Sequence, residues 1–171
     1  MVLEETAALA GLFTAHAIRF LAEGEPLYPM LGVEMPDGGK TLRRLVEGKR
    51  EVIVAESQQW LAANPENAAS GVLIYDGYIN MEAGTTDAIH IESRCYGEEP
   101  VSFGIAIPYQ APTDGNKLAF YRPKLIALQQ IEQEDMQNLI DAFYRGVESD
   151  EKAAGIWSTN LAEENDESNV G

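Results

Sequence analysis

The stretch Ala88-Ile-His-Ile-Glu-Ser-Arg-Cys-Tyr96 holds most of the side chains in this chain that could do chemistry. If it is extended, alternation sends His90, Glu92, Arg94 and Tyr96 to one face and Ile89, Ile91, Ser93 and Cys95 to the other. Imidazole and carboxylate are the usual proton-transfer groups, so the polar row reads as a binding or acid–base surface, with Tyr78 as a neighbouring phenol. The following segment separates as cleanly. Val101, Phe103, Ile105, Ile107 and Tyr109 form a bulky row, and Ser102, Gly104, Ala106 and Pro108 a small one. If the bulky rows share a core, the polar row lies beside the small row and a shallow groove opens over it. Two plainer readings compete: a solvated sheet face with a local Glu–Arg pair, and a homodimer surface where small residues permit close approach.

Gly39-Lys40-Thr41 has the ending of a phosphate-binding loop. That loop needs a glycine five positions before the Gly-Lys pair, and position 34 is Glu. A carboxylate there opposes an anion, and Pro36 removes one backbone donor. Asp37-Gly38 is a tight-turn signal, so a hairpin over 31–45 is the favoured reading. A helix opening at Thr41 is the competing reading, and a nucleotide site the remote alternative. Val72-Leu-Ile-Tyr-Asp76 resembles the apolar strand and magnesium-binding Asp of nucleotide enzymes, but Gly77 and Tyr78 after it fit a turn or bulge.

Metal chemistry has little to draw on. The chain has two histidines, His16 and His90, and one cysteine, whereas a structural zinc site needs four ligands. His16 falls at the margin of an apolar helix face. Cys95 falls on the core face, where a thiol behaves as a small apolar group rather than a nucleophile. No Gly-x-Ser-x-Gly elbow is present. No catalytic residue, metal or cofactor is therefore assigned.

The elements that must position these residues follow from periodicity. Leu9, Leu12, Phe13, Ala17, Phe20 and Leu21 recur at helical spacing within 6–23, and Gly24 and Pro26 end that helix. A second helix spans 51–63, stopped by Asn64-Pro65. From Ser70 the period becomes two. Strands over 71–81, 85–96, 101–110 and 117–121, joined by short turns, make an antiparallel meander of about four strands. A helix over 131–145 carries Met136, Leu139, Ile140, Phe143 and Tyr144 on one stripe. The fold class is α+β, with the helices expected on one face of the sheet. Residues 1–149 are expected to form one domain, and 150–171 an acidic, disordered tail anchored at most by Ile156 and Trp157.

Of 171 residues, 45 % are apolar, and the net charge is −16. That charge argues against bare nucleic acid and anionic membranes as partners, since both are polyanions. Glu4 and Glu5 stand where a signal peptide needs positive charge, so a cytoplasmic location is expected. Lys40, Arg43, Arg44, Lys49 and Arg50 place five of the twelve basic residues in eleven positions. This run is either a solvated face or a surface on which the acidic tail folds back. Function is expected to be non-catalytic binding of a basic protein, as an inhibitor, immunity-like protein or adaptor might do. The alternative is a small-molecule enzyme or ligand binder using His90, Glu92 and Arg94.

Overall fold

Apolar residues at helical spacing from Leu3 to Leu21 make the longest helix, α1 (Val2–Ala22), which ends at Gly24 in the left-handed region. The computed structural model describes residues 2–113 and 115–162. After α1 come β1 (Met30–Glu34), β2 (Lys40–Arg44), α2 (Arg50–Ala63), β3 (Ser70–Met81), β4 (Gly84–Cys95), β5 (Val101–Gln110), β6 (Ala119–Phe120) and β7 (Lys124–Gln129). A 3₁₀ turn (Gln133–Asp135) leads into α3 (Met136–Glu148), and α4 (Glu151–Asn160) follows.

The strands form one antiparallel sheet in the order β2-β1-β3-β4-β5-β6, with β7 also paired to β5. The fold is α+β. The hairpin expected over 31–45 exists as β1 and β2, and β1 joins it to the meander by pairing with β3. Its turn is built as the Asp-Gly signal requires: Gly38 N–H donates to the Met35 carbonyl at 2.8 Å, and Gly38 has φ +92°.

Two layers cover the sheet. On one face α1, α3 and α4 bury Met30, Val72, Ile74, Ile89, Ile91, Phe103, Ile105 and Ile107, the bulky rows read from alternation. Within this layer Gly11 and Gly146 meet where α1 crosses α3. A Cβ on Gly11 would lie 2.0 Å from the Phe143 carbonyl oxygen, and one on Gly146 2.0 Å from that of Ala8. Only glycine allows these backbones so close.

The expectation that all helices share one face fails for α2. Leu61 packs with Leu31 and Leu73, whose side chains point to the other side of the sheet, together with Val54 and Trp60. Alternation explains this: Leu73 lies between Val72 and Ile74, so β3 is apolar on both faces over that stretch and needs a cover on each. Among α2 residues only Ser57 and Leu61 are buried.

The second difference lies at the C-terminal end. Residues 151–160, assigned to a disordered tail, form α4. Asp150 caps it by accepting from Ala153 N–H at 3.0 Å, and Arg19 of α1 pairs with Asp150 at 3.1 Å. Trp157 is buried and stacks on Phe120 with centroids 5.0 Å apart. The rest of the expected tail, 163–171, lies outside the described residues. A third difference is β7, which replaces most of the strand expected at 117–121 as the partner of β5. Ala127 sits in it at φ +49°, and the β5–β7 register shifts between Ser102 and Gly104.

Candidate groove on the α2 face of the sheet

Because α2 covers β1 and β3 but not β5, the sheet face beyond it stays open. There β4 presents His90, Glu92 and Arg94, the row expected from alternation. Ser102 and Gly104 of β5 lie beside them, and Ile126 and Gln129 of β7 form the far wall of a groove of about 370 Å³. Gly104 lets β7 close in, since a Cβ there would stand 2.9 Å from Ile126 Cγ1. The remaining small residues, Ala106 and Pro108, are buried within the chain.

Each polar residue has a distinct environment. Glu92 Oε2 accepts from the Tyr75 hydroxyl at 2.6 Å and from Gln58 Nε2 of α2 at 2.7 Å. Burial, and then the bond to Glu92, push the Tyr75 phenol well above its ordinary value, so Tyr75 is a fixed donor rather than a base. Glu92 Oε1 has no hydrogen-bond partner among the described residues, which leaves half of the carboxylate's accepting capacity open.

His90 is in register with Tyr75, and their rings stack 5.2 Å apart at 8°. The imidazole lies over Gly77, where a Cβ would stand 2.7 Å from Cδ2. His90 Nε2 is 2.9 Å from the Tyr78 carbonyl. A carbonyl can only accept, so Nε2 carries the proton and Nδ1 faces no described partner.

Arg94 lines the groove yet makes no hydrogen bond or ion pair with the described residues. The Glu–Arg pair with Glu92 does not form; Tyr75 and Gln58 bind the Oε2 of that carboxylate.

The two other phenols assigned to the site stand apart from it. Tyr78 is 64 % exposed, and its strand parity sends it to the opposite side from His90, so only its carbonyl takes part. Tyr96 donates to the Leu61 carbonyl and ties the end of α2 to the sheet; burial pushes its hydroxyl up to about 12. Tyr75 was legible by parity, being an even number of residues from Leu73 on the α2 face. Gln58 was not, since nothing in the sequence places one particular α2 residue over β4.

The basic segment resolves into internal pairs. Lys40 meets Glu34 at 2.9 Å across the hairpin, Arg44 meets Glu25 at 3.1 Å, and Arg50 meets Asp76 at 3.4 Å. Arg44 also lies 3.9 Å from the centre of the Phe20 ring. Arg43 and Lys49 are exposed. The residue that broke the phosphate-loop pattern, Glu34, is thus the lysine's partner, and Lys40 and Thr41 continue into a strand, not a helix. Leu161 bridges to Phe120, and the tail expected to fold back on the basic segment, 163–171, lies outside the described residues.

Asp76 lies inside β3, in register with Ile89, and not in a turn or bulge. It accepts from Tyr109 at 2.7 Å, and burial raises its carboxyl above the ordinary value. Cys95 is free and buried, as its face predicts. His16 is half-buried, and burial, followed by Arg19, lowers its imidazole below the ordinary value. Among the described residues no three His, Cys, Asp or Glu side chains are grouped to hold a metal, and no helix is long and apolar enough to cross a membrane.

No family model, curated protein or solved structure matches this chain.

Proposed function

We propose that this protein binds a small molecule in the groove over β4 and β5 beside β7, without catalysis. The observation that carries this reading is the difference between neighbours on β4: Glu92 is fixed by two donors, while Arg94, next on the same face, has its hydrogen-bonding capacity unspent inside a concave site. A groove of about 370 Å³ falls in the range of small-ligand sites. Catalysis is set aside because neither imidazole nor carboxylate faces a nucleophile: Nε2 of His90 is committed to a carbonyl, and the nearby phenol is a donor. The cytoplasm suits a chain whose one thiol is free.

A nuclear magnetic resonance screen of a mixed fragment library tests this. Binders should move backbone amides over 90–94, 102–104 and 126–129. Hits spread evenly over the surface would overturn the groove as the site.

A basic protein partner is the second reading, favoured by the net charge of −16, whose field would steer a cationic surface. Capture of one basic protein from native lysate, lost at moderate salt, supports it; salt-independent capture opposes it.

A further inference from the structure

We propose that the groove ligand is a small zwitterion of the amino-acid class, its carboxylate on Arg94 and its ammonium on Glu92. This rests on the groove reading above and makes it chemically specific.

The two anchors are opposite charges on one strand face, two residues apart, so their Cα atoms are about 6.7 Å from each other. They are not paired with each other: Tyr75 and Gln58 bind Glu92 Oε2 at 2.6 and 2.7 Å, and Arg94 does not reach Oε1. Glu92 Oε1 is left to accept from a ligand donor. The Arg94 guanidinium is left to receive a carboxylate, the geometry in which it binds with two parallel hydrogen bonds.

The charge of the whole molecule narrows the class. A simple anion must approach a chain of net charge −16, which repels it over most of the surface. A simple cation would be drawn to the protein but would meet Arg94 in the groove. A zwitterion escapes both penalties: it is neutral at long range and matched at short range. The spacing of the anchors favours charges separated by several bonds, as in an ω-amino acid.

The test uses the full chain, labelled with ¹⁵N, and three probes of one skeleton: 4-aminobutyrate, butyrate and butylamine. Saturable shifts at 90–94 and 102–104 with 4-aminobutyrate, at an affinity about tenfold or more above either singly charged probe, support the proposal. Arg94→Gln should bring 4-aminobutyrate down to the affinity of butylamine. Equal binding of butyrate or butylamine overturns the zwitterion and leaves the groove standing. Absence of binding by all three, while other fragments occupy the groove, does the same. An empty groove against every probe and fragment overturns both readings.

Discussion

Tyr75 and Glu92, on neighbouring strands, are joined by a 2.6 Å hydrogen bond, and Gln58 brings α2 to the same carboxylate oxygen. The shared carboxylate thus fastens α2, a helix with little apolar burial, to β4, and the Tyr96 bond to the Leu61 carbonyl ties its far end. Tyr75→Phe should lower stability by about 1.5–3 kcal/mol, the worth of a hydrogen bond to a charged group. Amide exchange over α2 should quicken more than over α1. Urea unfolding and hydrogen exchange check both; unchanged exchange in α2 would show that the helix is held without the Tyr75 hydroxyl, by Leu61, Trp60, Gln58 and the Tyr96 bond.

The α1–α3 crossing has no room for a methyl group. Gly146→Ala forces a carbon to within 2.0 Å of the Ala8 carbonyl, and the backbones must separate. A loss of roughly 3 kcal/mol is expected, at the upper end for overpacking, read from the urea midpoint. Gly155→Ala in α4 is the control: nothing stands within 4 Å of its Cβ position, and the change should stabilise by up to about 1 kcal/mol through helix propensity.

Asp150 both caps α4 and pairs with Arg19. The Ala153 N–H, with Arg19 adding to it, holds its carboxyl below the ordinary value of 3.8. A lowered folded value means that the stabilisation is complete above pH 3.8 and is lost as the pH falls through the folded value. Asp150→Ala should cost about 1 kcal/mol at neutral pH, as for other caps. It should also remove that acid-side loss. The indole signal of Trp157, followed from pH 7 downward, reports it.

Ser93 is 1 % exposed and its hydroxyl has no partner among the described residues. A buried unpaired hydroxyl costs free energy, so Ser93→Ala should be neutral or stabilising by up to about 1 kcal/mol. A clear destabilisation in urea would mean that the hydroxyl is hydrogen-bonded in solution.

Period-two patterning carried much of this architecture. β3, β4 and β5 fall within a residue or so of their expected bounds, and the facing of His90, Glu92 and Arg94 follows from parity alone. β7 escaped the same reading because Ala127 bulges: Leu125 and Leu128 both reach the core although three residues apart, which breaks alternation. α4 was obscured by acidic composition, yet Asp150 before Glu151 is a cap signal that could have marked it. The side chosen by α2 was open to a narrower argument, since Leu73 between Val72 and Ile74 demands cover on both faces. The state of Arg94 was not legible, because a Glu and an Arg two apart on a strand face read as a pair until a third residue takes the carboxylate.

The most direct measurement is the dissociation constant of the strongest-binding carboxylate-bearing fragment, for wild type and for Arg94→Gln. Arg94 as the groove's free anchor predicts about tenfold weaker binding in the variant, with the urea midpoint unchanged. Equal dissociation constants would contradict it.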